Sequence, residues 1–316
     1  MNPPGGLRGV LEAARALRAA GQAFALALVT DTEGSTYRKA GALAVVASDG
    51  GRTGTISGGC LEPALVQLCQ QVIADGRAAC TVFDTRGDDD LLFGSGSGCR
   101  GRMRVLAWPL PGAGDGLLDA VLAADEAGRR LAVAVAVDAE PPGWRVVYAD
   151  APATTGEVSV RIAPVPRVLV LGAGPEAAPL LALGHALGWH LQVADHREGL
   201  LADPRLPASV PRLSLRPAAA LAALPRPADA VLVMTHLASA DLEALRALAD
   251  TAAPYVGLLG PPGRRDELLA ELDIAARQRL QPRLRAPVGL FLGGEGPEAI
   301  ALAIAADLQR HFHAPP

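Results

Sequence analysis

Two cysteines of this 316-residue chain stand where thiol and backbone chemistry can meet. Cys60 closes the run Gly54-Thr55-Ile56-Ser57-Gly58-Gly59-Cys60, just ahead of Leu61 and Glu62. Gly58 and Gly59 let backbone N–H groups approach a ligand closely. A helix beginning at this corner would add the partial positive charge that favours anions and a thiolate. Cys99 lies in Phe93-Gly94-Ser95-Gly96-Ser97-Gly98-Cys99-Arg100-Gly101, a second glycine-rich boundary. Two thiolate-capable groups in one backbone-lined pocket suit a soft metal or a sulfur-bearing ligand; whether Cys60 and Cys99 meet in space is left open by the sequence. The plainer alternative is a structural cysteine beside each tight turn. Cys69 and Cys80, on an apolar helix face and in a strand, read as small core hydrophobes.

Further candidates follow the same logic of element ends. The segment Thr30 to Ala42 comes directly after an apolar strand and carries Ser35 and the basic pair Arg38-Lys39, a composition suited to holding an anion. Farther on, Val168 to Leu171 runs into Gly172-Ala173-Gly174-Pro175-Glu176-Ala177, a Gly-x-Gly-x-x-Ala turn, and Asp195 follows a second strand. That is the context of a dinucleotide-binding turn, in which glycines admit a pyrophosphate and an acid takes a ribose hydroxyl. His236 follows another apolar strand, at the edge where open parallel sheets bind ligands.

The elements that must position these groups divide the chain into two domains, 1–163 and 164–316, around Pro164 and Pro166. In the first, the apolar spacing predicts helices over Gly6 to Ala20, from Cys60 to near Gly76, and from Asp115 to Gly128. Strands are expected at Ala23 to Val29, Leu43 to Ala47, Thr53 to Ile56, Ala79 to Asp84, Met103 to Trp108, Leu131 to Val137, Trp144 to Tyr148 and Val158 to Ile162, with a hairpin at Asp49-Gly50. This is an α+β domain rich in hairpins. The second domain alternates strand and helix through Tyr255 to Leu259 and a closing helix from Glu298 to Arg310, with His311 and His313 in a frayed tail. It reads as a Rossmann-like, doubly wound parallel sheet. The fold class is therefore α/β, with the α+β domain first.

Composition excludes several classes. A net charge of −4 and the lack of a basic run with interleaved aromatics give no case for nucleic acid. No apolar run approaches the roughly 18 residues of a membrane span, and the start of the chain has no signal-peptide pattern. The expectation is a cytoplasmic protein with reduced thiols, since four cysteines in a chain of this length make no disulfide framework. No Cys-x-x-Cys pair suggests zinc, and all six histidines lie beyond residue 180.

Taken together these stretches resemble the XdhC/CoxF family of xanthine dehydrogenase accessory proteins. The resemblance rests on Glu33, Gly34, Ser35, Arg38, Gly41 and Ala42; on Gly54 to Glu62; on Gly98-Cys99-Arg100-Gly101; and on Val170 to Gly174, Met234-Thr235-His236, Tyr255 to Leu258 and Ala286 to Leu290. It implies a chaperone that binds the molybdenum cofactor (molybdopterin), protects it during sulfuration by a cysteine desulfurase, and aids its insertion into a xanthine-dehydrogenase-like molybdoenzyme. Such a protein is a maturation factor rather than a catalyst. The cofactor-binding candidates are then Cys60, Cys99, Gly58, Gly59, Glu62, Ser35 and Arg38, with Gly172, Gly174, Asp195 and His236 in the second domain; Cys60 and Cys99 would be the molybdenum contacts. The chain departs from the family pattern at Ser57, Arg100 and Pro175. The competing reading is an NAD(P)-dependent oxidoreductase, or another nucleotide-binding Rossmann enzyme, using Gly172, Gly174 and Asp195 with His236 as acid or base. A homodimer remains open.

Overall fold

A computed structural model describes residues 3–86, 100–147 and 154–314. The chain forms two compact units, Gly5–Val165 and Pro166–Pro316.

In the first unit, helix α1 (Gly6–Ala19) precedes strands β1 (Phe24–Gly34), β2 (Leu43–Ala47) and β3 (Arg52–Thr53). Helix α2 (Glu62–Asp75) and strands β4 (Ala79–Asp84) and β5 (Gly101–Leu110) follow. The five strands make an antiparallel sheet in the order β3-β2-β1-β5-β4. Helix α3 (Asp115–Ala127) then leads to β6 (Leu131–Ala136), β7 (Gly143–Val147) and β8 (Glu157–Ile162), a three-stranded antiparallel sheet in the order β7-β6-β8.

Alternation along β1 explains the layering. Phe24, Leu26 and Leu28 join a core with Val10, Leu11, Leu117 and Val133, whereas Ala25, Ala27 and Val29 face Leu65, Cys69 and Val72 of α2. Successive strand residues point to opposite faces, and the alanines on the α2 side bring that helix close to the sheet. Burying Cys69 beneath this helix pushes its thiol up to about 12, so it behaves as a neutral hydrophobe.

Three expectations for this unit are corrected. The strand placed at Ala23 to Val29 continues to Gly34, because β5 pairs with it as far as Gly34↔Gly101 past an irregularity between Val29 and Asp31. The first third of the anion-suited segment is therefore strand. The strand expected over Thr53 to Ile56 stops at Thr53, since Gly54 turns the chain out at φ +94°, where an added Cβ would lie 2.7 Å from the Leu43 carbonyl oxygen. Cys80 is exposed rather than core: β4 borders the sheet with only β5 beside it, and Cys80, Val82 and Asp84 lie on its open face. The acidic run Asp88 to Asp90, the glycines from 94 to 98, Cys99 and Tyr148 lie outside the described residues.

The second unit carries β9 (Arg167–Leu171), α4 (Ala177–Ala186), β10 (His190–Ala194), α5 (Glu198–Leu201), β11 (Arg212–Leu213), α6 (Pro217–Ala222) and β12 (Ala230–Val233). It continues through α7 (Ala238–Ala249), β13 (Tyr255–Leu258), α8 (Pro262–Ala270), α9 (Ile274–Leu280), β14 (Leu284–Arg285) and α10 (Pro297–Phe312). The six strands are parallel in the order β11-β10-β9-β12-β13-β14. Numbered within the unit this is 3-2-1-4-5-6, the doubly wound Rossmann order, whose direction reverses between β9 and β12. Val168 and Val170 pack toward α4 and α10, and Leu169 and Leu171 toward α7. Both faces are covered, as near-continuous apolar strands require. His311 is no frayed tail: it lies within α10, its ring 5.0 Å from that of Tyr255.

Candidate functional site

The corner at Cys60 is built around a buried acid. Glu62, at the first position of α2, is 7 % exposed. Its carboxylate turns back to accept hydrogen bonds from the Ile56 amide (3.2 Å), the Ser57 amide (2.9 Å) and the Ser57 hydroxyl, while Arg52 stands 3.9 Å away. Burial alone would raise this carboxyl, but the Ser57 donors and Arg52 outweigh it and hold it below its ordinary value. The Ser57 hydroxyl oxygen in turn accepts from the Gly59 amide (3.2 Å) and the Leu61 amide (3.0 Å). Glu62 thus staples the turn from inside and meets the positive end of α2 itself. Cys60 precedes the helix by two residues and is exposed.

What the staple leaves open is the outer face. Gly58, Gly59 and Cys60 are exposed, and among the described residues the Gly58 and Cys60 amides donate to no partner. Beside them is a narrow crevice of about 30 Å³, lined by Ser35, Thr36, Tyr37, Ser57, Gly58, Cys60 and Gly101 among others. That is room for only a small group, so a molecule the size of a pterin must lie across its mouth. Ser35 is anchored by its amide to the Arg100 carbonyl at 3.1 Å. The structure thus brings the candidates Ser35, Gly58 and Cys60 to one crevice. Thr36, Tyr37 and Gly101 join them there, an approach that depends on the pairing of β1 with β5 and has no local signal. A larger groove of about 460 Å³ between the end of α2, β4 and residues 137–142 holds Cys80.

The second unit presents the opposite picture at its switch point. Gly172 adopts φ +113°, and an added Cβ would lie 2.3 Å from the Met234 carbonyl oxygen. At Gly174 an added Cβ would stand 2.8 Å from the His236 ring. These glycines accommodate the chain's own backbone and side chains. The Gly172 amide donates to the Ala194 carbonyl (2.8 Å), the Ala173 amide to Asp195 Oδ2 (2.9 Å), and Pro175 has no N–H.

Asp195 is 3 % exposed and also accepts from the amide and guanidinium of Arg197, at 2.7 to 2.9 Å. Burial raises its carboxyl, yet Arg197 and the two amides pull it below the ordinary range. A ribose hydroxyl would have to displace Arg197, which also reaches the Thr235 carbonyl at 2.8 Å. His236 stands at φ +59°, a conformation rare outside glycine, and its Nε2 shares a 2.9 Å hydrogen bond with Glu176. Asp241 fixes the turn before it, accepting from the Thr235 hydroxyl (2.6 Å) and from Arg264 (2.5 Å). The roles of Glu176 and Asp241 had no local signal: their partners His236 and Arg264 lie 60 and 23 residues away in the chain.

The XdhC and CoxI family model matches residues 17–87, and the XdhC Rossmann domain model matches residues 168–308; together they span more than half of the chain. The chain belongs to this family. Among the family's relatives, a Bacillus subtilis protein described as a probable xanthine dehydrogenase subunit is 28 % identical over 307 residues, covering 90 % of this chain and 91 % of that protein. The molybdenum cofactor insertion chaperone PaoD of Escherichia coli is 25 % identical over 302 residues, covering 91 % of this chain and 83 % of PaoD. A crystal structure described as a xanthine dehydrogenase from Bacillus halodurans superposes with a TM-score of 0.80 at 28 % identity, over 97 % of this chain and 96 % of that one. Among the described residues no helix is long and apolar enough to cross a membrane, and no three His, Cys, Asp or Glu side chains gather as a metal site.

Proposed function

We propose that this protein is a maturation factor for a xanthine-dehydrogenase-like molybdoenzyme, carrying the molybdenum cofactor as cargo. The observation that carries the reading is the exposed Cys60 thiol beside two amides that have no partner among the described residues and a narrow crevice. The cargo is an anionic pterin dithiolene bearing a phosphate and a molybdenum centre, and a soft thiolate suits that metal. Among the described residues a single thiol, rather than a closed set of three or four ligands, stands at this corner. A carrier must release what it holds, and one exposed contact favours release. In this reading Cys60 touches the molybdenum, Gly58 and Gly59 let the pterin approach the backbone, and Ser35 and Arg38 face its polar groups. Cys99 is a second candidate contact, and Glu62 acts by shaping the turn. Sulfuration of the bound cofactor by a cysteine desulfurase and delivery to the client enzyme complete the proposal; PaoD, named for cofactor insertion, supports it.

The test is cofactor retention. Protein produced in cells that synthesise the cofactor is purified, and molybdenum and oxidised pterin are measured per chain. Co-purification is expected with wild type, falling at least about ten-fold, or about 1.4 kcal/mol, in a Cys60→Ala, Cys99→Ala double variant. Unchanged retention in that variant removes the cysteines from the mechanism, and absence of pterin from the wild type removes the carrier reading. Titration with NAD(H) and NADP(H) decides the competing dehydrogenase reading; micromolar affinity with hydride transfer would overturn our choice, against which the engaged Asp195 already weighs.

A further inference from the structure

Around the Cys60 crevice the described carboxylates are taken. Arg102 and Arg104 lie 3.2 and 3.6 Å from Asp31, Arg86 bridges Glu33 and Asp84 at 2.8 and 2.6 Å, and Glu62 is spent on the turn. Three cations have no carboxylate partner among the described residues: Arg38, Lys39 and Arg100. Lys39 is the only lysine in the chain. Its ammonium donates to the Thr36 hydroxyl (3.2 Å) and the Gly34 carbonyl (3.4 Å), while the Thr36 hydroxyl donates to the Arg38 carbonyl (2.9 Å). An ammonium has three protons, so one remains for a ligand. Arg100 is held to the same rim by its backbone: its carbonyl accepts from Ser35, and an added Cβ on Gly34 would lie 2.7 Å from it. Its neighbour Gly101 and the Thr36 that positions Lys39 both line the crevice.

We infer that Lys39, Arg38 and Arg100 form an oxyanion seat on the rim of the crevice, which takes the terminal phosphate of the pterin whose metal Cys60 contacts. The inference rests on the carrier reading and deepens it by naming the recognised group. A phosphate ester carries between one and two negative charges near neutral pH. Two guanidinium forks and one point charge offer the charge-assisted hydrogen bonds that such a group requires. Among the described residues around the crevice these three cations are left over once the carboxylates are paired.

The single lysine makes the test specific. Pyridoxal 5′-phosphate condenses through its aldehyde with the Lys39 amine, water leaves, and borohydride reduces the imine to a stable amine. Peptide mass spectrometry separates this adduct from the N-terminal one. Lys39 is expected to label about ten-fold faster with pyridoxal 5′-phosphate than with 5′-deoxypyridoxal, which lacks the phosphate and keeps a free aldehyde, as one charge-assisted contact set provides. Inorganic phosphate should slow the former, and Arg38→Ala or Arg100→Ala should reduce the ratio of the two rates with an unchanged unfolding midpoint. Equal rates for the two aldehydes, or a ratio indifferent to both arginines, would overturn the seat. The probe contains neither molybdenum nor dithiolene. A seat that labels selectively in a protein retaining no cofactor removes the carrier reading alone; equal labelling in a protein that does retain cofactor removes the seat alone.

Discussion

The turn at Gly58-Gly59 and the turn at Gly172 to Gly174 are both glycine-rich corners at an element boundary, yet their surroundings are opposite. At the first, the fixing interactions come from inside through Glu62 and Ser57, and the outer face with Cys60 stays exposed. At the second, Met234, His236, Asp195 and Ala194 occupy the space and the amides that the motif would offer to a pyrophosphate. Glycine permits close approach without specifying what approaches. The difference teaches that the decision lies with side chains brought in from neighbouring strands.

The strongest way to break this comparison is to place the same methyl group in each turn. Gly172→Ala forces a Cβ onto the Met234 carbonyl at a backbone angle that alanine resists. Strain of about 1–3 kcal/mol for the angle, with displacement of β12 added, should give a loss above about 3 kcal/mol or failure to fold. Urea unfolding followed by circular dichroism measures it; a variant of wild-type stability would mean that this turn has the freedom we assign to the other. Next in size is Asp195→Ala, which strips Arg197 and the Ala173 amide of their partner. Leaving these donors unpaired should cost about 2–3 kcal/mol, read as a lower urea midpoint. A negligible change would show the carboxylate available to a ribose after all.

These two outcomes bear on how far the sequence reaches. The parallel Rossmann-like sheet and the alternation of strand and helix were legible because parallel strands covered on both faces are written as apolar runs such as Val168 to Leu171. The antiparallel unit was legible where hairpins are local, as at Asp49-Gly50, and less so where β1 runs on to Gly34, since that extension depends on pairing with residues near 101. Ser35, Gly58 and Cys60, which line one crevice, were singled out because hydroxyl, glycine and thiol carry chemical signals. The staple by Glu62, the capture of Asp195 by Arg197 and the Glu176–His236 pair were hidden. An acid in a sequence shows its capacity to bind but gives no sign that another residue has already engaged it, as the exposed Cys80, expected in the core, shows no sign of its open strand face.

The Glu62 staple gives an effect of intermediate size with a pH signature. Its carboxyl lies below the ordinary value of 4.5 in the folded state, so the stability it contributes is fully present above pH 4.5 and disappears as pH falls through the depressed value. Glu62→Gln should therefore lower stability by about 1–2 kcal/mol at pH 7, with a difference from wild type that is constant down to about pH 5 and closes below it. Unfolding midpoints at a series of pH values test this. A gap that widens on acidification would contradict the direction of the shift.

The smallest expected effect on stability is the most telling for function. At Gly58 an added Cβ would meet only the Tyr37 ring, at 3.8 Å, an ordinary contact, and the backbone there is not in the left-handed region. Gly58→Ala should change the unfolding free energy by less than about 0.5 kcal/mol, as surface substitutions away from special features do. The same methyl group stands on the exposed face beside Cys60, where the proposed cargo must come within contact of the backbone. Cofactor retention should fall in this variant while its urea midpoint stays put, the reverse of Gly172→Ala, in which any loss of retention follows loss of the fold. If Gly58→Ala retains cofactor as wild type does, the ligand avoids this face of the turn, and the open corner would be open for some other reason.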